Sequence, residues 1–207
     1  MIEPVSEDRR LAIWEDWNSG GGPKYPHEKV VQFCFRNYPR DVRPHTRALD
    51  LACGGGVHTL FLAAEGFQVT ACDISENGVK CTREGLRKRG LKADVSVCAM
   101  QDISYPPQSF DLVLCIAALG AAGPEAARGA LDRLAAICRP GAKAFFLFES
   151  DDDFHGMDNE LKVYGYSRAE VEELFLPRFS RVWIDEHTST YQNGRLFQKD
   201  WLVTIFF

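Results

Sequence analysis

One short stretch of the chain concentrates residues able to do chemistry. In "ALDLACGGGVHT", residues 48–59, an apolar run ends on an acid, Asp50, and passes through Ala52 into Gly54 and Gly56 before a helical pattern begins. Glycine has no Cβ, so the backbone can turn sharply there and approach a ligand closely. Twenty-three residues after Asp50, a second apolar run, "FQVTACD", ends on Asp73. A carboxylate at that place can accept hydrogen bonds from both hydroxyls of a ribose. Strand, glycine turn, helix, strand and acid together form a nucleoside-binding half-fold.

The residues around the turn narrow the nucleoside. A dinucleotide site uses G-x-G-x-x-G, which lets a pyrophosphate rest on the helix N-terminus. Here Thr59 stands at the third glycine position, and Asp50 precedes the turn. A carboxylate there repels a pyrophosphate but suits the ammonium group of an amino acid. The pattern favours S-adenosylmethionine over a nicotinamide dinucleotide, which remains the alternative from another enzyme class.

The surrounding sequence supplies elements to hold these residues. Leu11, Trp14 and Trp17 recur at helical spacing after Ser6, an expected N-cap, and a helix from Pro26 should carry Val30, Val31, Cys34 and Phe35 on one face. Between 45 and 150 strands and helices alternate: "RALDLA", "FQVTACD", "ADVSVCA", "FDLVLCIAAL" and "AKAFFLFES" read as strands. Gly66 is expected to cap the first intervening helix, Ser75 to open the second and Pro124 to start the third. This alternation implies a parallel sheet. The last third differs. Ser167 and Glu170 form a capping box, and two alternating runs meet at Asn193-Gly194, a hairpin signal that adds an antiparallel pair.

With those motifs in place, the chain resembles the class I S-adenosylmethionine-dependent methyltransferases of the small-molecule type, over roughly residues 46–150. "LDLACGGG" matches the family's first motif and "VTACDIS" its ribose-binding strand. "AMQDISYPPQSFDLVLC" resembles the segment that lines the adenine and enters strand four, and "LAAICRPGAKAFF" the helix, turn and strand five. The resemblance implies an α/β, Rossmann-like, doubly wound sheet of seven strands in the order 3-2-1-4-5-7-6, the last antiparallel. It implies S-adenosyl-L-methionine as methyl donor. Asp50 would hold the methionine ammonium, with Ala52, Gly54 and Gly56 beneath the methionine and ribose. Asp73 would bind the ribose, Ile74 would pack on the adenine, and Met100 and Gln101 would flank it. Cys115 and Ile116 would face the donor at the end of strand four. The family usually has glycine where this chain has Ala52, and often an acid where it has Ala99. Many relatives carry His residues after strand four, where this chain has "AALGAAG".

The acceptor side is less defined. Residues 1–44 are expected to form a helical lid segment and 45–207 the donor-binding domain. Tyr25 follows a triple-glycine stretch and is a candidate for both cofactor contact and catalysis. The acidic run "ESDDDFHGMDNE", residues 149–160, supplies Glu149 and His155 as candidate bases. No metal-ligand spacing is recognisable there. A net charge of −5 disfavours nucleic acid, and no apolar run approaches the ~20 residues of a membrane span. Seven cysteines without a CxxC pair suit a reducing, cytoplasmic setting. The expected activity is methyl transfer to oxygen or nitrogen of a small-molecule acceptor, by a monomer or homodimer. A non-catalytic module that binds the donor is the other alternative.

Overall fold

The structure, a computed structural model, describes residues 7–20, 22–152 and 163–207. Its seven strands form one sheet in the order β3-β2-β1-β4-β5-β7-β6. The order and the antiparallel β7 are those the family resemblance implied. The chain divides into two compact units, Met1–Ala99 and Met100–Phe207.

In the first unit, β1 (Arg47–Leu51), β2 (Gln68–Asp73) and β3 (Asp94–Val97) run parallel, with Asp50 opposite Ala71 and Asp73 opposite Val97. Helix α3 (Val57–Ala64) links β1 to β2, and α4 (Glu76–Arg89) links β2 to β3. Ser75 caps α4 as expected, its hydroxyl accepting the Gly78 N–H at 2.9 Å. Gly66, one residue beyond the α3 C-cap Glu65, has a φ of +91°.

Two helices precede the sheet, α1 (Glu7–Ser19) and α2 (Glu28–Asn37). The expected cap Ser6 lies outside the described residues. His27 caps α2, its Nδ1 accepting the Lys29 N–H. From that start the inward positions are Val30, Phe33 and Cys34. Phe35, expected on the inner face, is exposed. There it carries the Arg43 guanidinium 4.6 Å from its ring centroid. Arg43 itself is buried, paired with Glu65 and donating to the Tyr38 carbonyl. The helix phase follows from its cap, and an i, i+3, i+4 stripe leaves position i+5 outside.

In the second unit, β4 (Phe110–Ile116) and β5 (Cys138–Glu149) are parallel, and β7 (Leu196–Phe206) runs antiparallel to both β5 and β6 (Val182–Tyr191). A four-residue turn, α5 (Leu119–Ala122), which the sequence pattern did not indicate, precedes α6 (Pro124–Ile137). Pro124 opens α6, where its missing N–H removes no helical bond. The capping box of α7 (Arg168–Phe175) is present, Ser167 and Glu170 each bonding the other's backbone N–H. The β6–β7 loop spans four residues, and Gln192, Asn193 and Gly194 in it all take positive φ.

The core of this unit is aromatic. Phe146 meets Phe175 edge-on at 5.2 Å, and Phe148 meets Tyr166 at 5.2 Å. Trp201 is buried with its indole N–H donated to the Tyr166 carbonyl at 2.7 Å. Among the described residues no helix is long and apolar enough to cross a membrane. Phe146→Ala should cost about 3–5 kcal/mol through lost burial and the cavity left behind. Urea unfolding followed by near-ultraviolet dichroism measures this, and a cost below about 1 kcal/mol would contradict the packing described.

Candidate active site

The first unit gathers its candidate residues at the C-terminal ends of β1 and β2. Asp73 ends β2 and is buried, yet both carboxylate oxygens have backbone donors. Gly54 N–H donates to Oδ2 at 2.7 Å and Ser75 N–H to Oδ1 at 2.8 Å. Each oxygen keeps acceptor capacity, which two ribose hydroxyls would use. Burial pushes the Asp73 carboxyl up, the two N–H donors oppose that, and Glu15 nearby adds to the rise. Ile74, next in the chain, is 44% exposed, an aliphatic surface free to lie against a base.

Asp50 is 1% exposed. Its Oδ2 accepts the Thr59 hydroxyl at 2.5 Å, from the first turn of α3. Burial raises its pKa to about 6, against the Thr59 hydrogen bonds and with help from the charge of Asp73. Thr59 is therefore more than a departure from a dinucleotide pattern: it holds the acid. A cation brought to Asp50 would meet a carboxyl ready to ionise.

Between these acids the turn runs through residues in left-handed conformations. Ala52 has φ +60°, which explains why glycine is usual there, and its small side chain limits the strain. Gly54 has φ +51° and Gly56 φ +83°. A Cβ on Gly56 would stand 2.4 Å from Thr82 Oγ1, and the Thr82 hydroxyl donates to the Gly54 carbonyl at 2.9 Å. Cys53 is buried in the turn, its sulfur 3.9 Å from Thr82 Oγ1, and its thiol pKa is pushed well up by burial.

The helix before the sheet reaches this turn with polar groups that sequence reading missed. Glu15 accepts from Ser75 Oγ, Glu76 N and Asn77 N. Asn18 is buried, its Oδ1 3.1 Å from where a Gly54 Cβ would be. Glu15 and Asn18 thus bring polar groups of α1 to the turn, while Trp17 is half exposed and edge-on to Trp14. His58, also unmarked in the sequence reading, accepts the His27 N–H on Nε2 at 3.3 Å, and burial lowers its pKa to about 4. It is a neutral imidazole on the first turn of α3. Tyr25, two residues before His27, is 83% exposed.

The second unit carries the remaining candidates. Met100 is buried in a short turn, and Gln101 packs its Cβ 2.9 Å from the position a Gly129 Cβ would take. Cys115, expected to face the donor, has no exposed surface, since it lies inside the doubly covered β4. Ile116, named with it, and Ala117 carry the surface at the end of β4. Glu149 ends β5 half-buried, its Oε2 2.7 Å from where a Gly120 Cβ would be. Across the sheet it stands opposite Asp200, and Asp200 opposite His187, in one row. Residues directly opposite share a face. His187 Nδ1 is 3.7 Å from Asp200 Oδ2, which accepts the Gln198 amide at 3.1 Å. Strand alternation alone did not mark Asp200 or His187. His155 lies outside the described residues.

Known proteins bear on the family and the fold. Residues 48–141 match the family model described as "Methyltransferase domain". The ubiquinone biosynthesis O-methyltransferase of Idiomarina loihiensis is 33% identical over 149 residues, covering 70% of this chain and 60% of that protein. The enzyme of the same name from Xylella fastidiosa is 32% identical over 143 residues, covering 67% and 56%. The chain thus spans under two thirds of these relatives. A Haemonchus contortus phosphoethanolamine N-methyltransferase solved with phosphomonomethylethanolamine and S-adenosylhomocysteine has a TM-score of 0.73 at 16% identity. It is covered to 61%, against 100% of this chain. A structure from work on converting a disulfide bond into a thioacetal group during echinomycin biosynthesis has a TM-score of 0.71 at 21% identity, covering 94% of this chain and 90% of that one. At these identities the solved structures show the fold. Strand order, motifs and the family match over residues 48–141 support a class I S-adenosylmethionine-dependent methyltransferase. The 3-2-1-4-5-6 order of dinucleotide-binding folds is not the one present.

Gly56 and Gly66 separate two effects, since both have positive φ but only Gly56 is crowded. Gly66→Ala should cost about 1–2 kcal/mol from backbone conformation alone. Gly56→Ala should cost about 1–3 kcal/mol more, because Thr82 must move. Paired urea titrations test this, and equal costs would mean the turn yields freely.

Proposed function

We propose that the chain transfers a methyl group from S-adenosylmethionine to an oxygen of a small hydroxylated acceptor. The observation that carries this is Asp73, a buried acid with both oxygens oriented by the glycine turn and by Ser75. The oxygen preference follows the O-methyltransferase names of the curated relatives. When bound, the cofactor supplies an electrophilic methyl on a sulfonium.

The protein's share is binding, orientation and water exclusion. Asp73 takes the ribose hydroxyls and Ile74 offers its exposed side chain to the adenine. Asp50 attracts the methionine ammonium. Gly54 and Gly56 let the backbone pass close, with Ala52 as a tolerated variant. Met100 and Gln101 are assigned to the adenine by family resemblance, and Ile116 to the donor at the end of β4. Residues 1–44 form the lid segment. For the acceptor proton we favour Glu149, at the end of β5, with Tyr25 and His155 as further candidates. The free cysteines of the described chain suit a reducing, cytoplasmic setting.

Isothermal calorimetry with S-adenosylhomocysteine is the direct test. Wild-type protein should bind it, and Asp73→Ala should weaken binding by about 100-fold or more, since two hydrogen bonds to a charged group are lost. Unchanged affinity would sink the ribose assignment.

Asp50 adds a pH signature. Its pKa of about 6 means that the free protein near pH 6 holds Asp50 partly protonated. A nearby ammonium favours the carboxylate and lowers that pKa. Binding near pH 6 should therefore release a proton, and affinity should rise from pH 5 to 7. Calorimetry in buffers of different ionisation enthalpy counts the proton, and Asp50→Asn should remove Asp50's share of the release.

A further inference from the structure

The contact between α1 and the first turn of α4 has no part in the donor chemistry described above, yet four hydrogen bonds hold it. Glu15 Oε1 accepts the Glu76 N–H at 2.6 Å. Its Oε2 accepts the Asn77 N–H at 2.9 Å and the Ser75 hydroxyl at 3.1 Å. The Asn77 side-chain amide returns to the Glu15 carbonyl at 3.2 Å. A carboxylate from one helix thus satisfies N–H groups at the start of another, where the helix dipole also favours negative charge.

Ser75 joins this contact to the ribose acid. Its hydroxyl lies between Glu15 and the Gly78 N–H, while its own N–H holds Asp73 Oδ1. One turn further along α1, Asn18 fills the notch where Gly54 and Gly78 approach. A Cβ on Gly78 would stand 3.0 Å from the Gly54 carbonyl oxygen and 3.2 Å from Asn18 Nδ2. The Cys81 thiol bonds the Asn18 carbonyl. The same helix therefore touches the glycine turn and the element that orients Asp73, the two partners that hold its carboxylate oxygens.

We propose that Glu15 is a positioning residue for the donor's ribose site, latching α1 to the Ser75–Asn77 turn so that docking of α1 and presentation of the Asp73 carboxylate are one coupled event. The proposal rests on the reading of Asp73 as the ribose acid. Coupling of this kind is reciprocal: if docked α1 favours ribose binding, then ribose binding favours docked α1. Glu15 touches neither donor nor acceptor in this role and acts through Ser75.

The test uses the full chain and Glu15→Ala and Glu15→Asp variants, with S-adenosylhomocysteine as ligand. Amide hydrogen exchange is followed over residues 8–19 and at Glu76 and Asn77, and affinity is measured by calorimetry. In the wild type, ligand should slow exchange across α1. Glu15→Ala should speed exchange in α1 without ligand, weaken binding by about five- to tenfold, the loss expected of a cap, and abolish the response of α1 to ligand. Glu15→Asp keeps the charge and should restore part of both the affinity and the response, which a loss of general stability would not predict. Affinity within twofold of wild type in Glu15→Ala, or an α1 that still responds fully, overturns the latch. A wild-type protein that binds no S-adenosylhomocysteine overturns the donor reading itself. Exchange in the free proteins then judges the Glu15 contact separately, with unchanged α1 protection in Glu15→Ala counting against it.

Discussion

The first unit depends on how the Asp73 carboxylate is held. Gly54 N–H and Ser75 N–H come from different connections of the chain and meet on the two oxygens of one side chain. That meeting ties the end of β2 to the turn after β1 and to the start of α4. A buried carboxylate is costly unless hydrogen-bonded, so the acid demands the turn as much as the turn positions the acid. The positive φ values at Ala52, Gly54 and Gly56 serve this closure. Local strain is retained where the surrounding contacts over-determine it.

Asp50 shows the same logic with a different balance. Thr59 bonds it through hydroxyl and backbone, but burial dominates, so its pKa rises to about 6. Two acids on adjacent strands therefore do different work. Asp73 is preorganised as an acceptor, while Asp50 is a buried carboxyl that a cation beside it would hold ionised. His58 completes the contrast, since burial keeps it neutral and its nitrogen accepts a backbone N–H from the segment before α2.

Much of this was legible in the residues because it rests on local backbone rules. The glycine turn, Ser75 as a cap, Pro124 at a helix start and the Ser167–Glu170 box each depend on a few neighbouring residues, and each is observed. The strand order followed from family resemblance. What escaped depends on distance. Glu15 reaches a turn 60 residues away, and nothing in "AIWEDWN" marks it as other than a solvated acid. The apolar spacing of Leu11, Trp14 and Trp17 gave no hint of the polar contacts that Glu15 and Asn18 make from the same helix. Phe35 was misplaced because the phase of a ten-residue helix hangs on its first residue. The hairpin was legible from Asn193-Gly194, but the positive φ of Gln192 was not, since Asn-Gly alone does not specify it. Asp200 and His187 stand together because β7 pairs with β6, and Glu149 joins their row because β7 also pairs with β5.

Cys53 has a practical consequence. Its sulfur is enclosed by the glycine turn and Thr82, and its thiol stays protonated at neutral pH. Thiol reagents attack the thiolate, so this cysteine is silent while the turn is closed. Its labelling rate then becomes a clock for local opening of the turn, read from a native residue without an added probe. Cys81 and Cys98, both partly accessible, provide the faster internal reference in the same molecule.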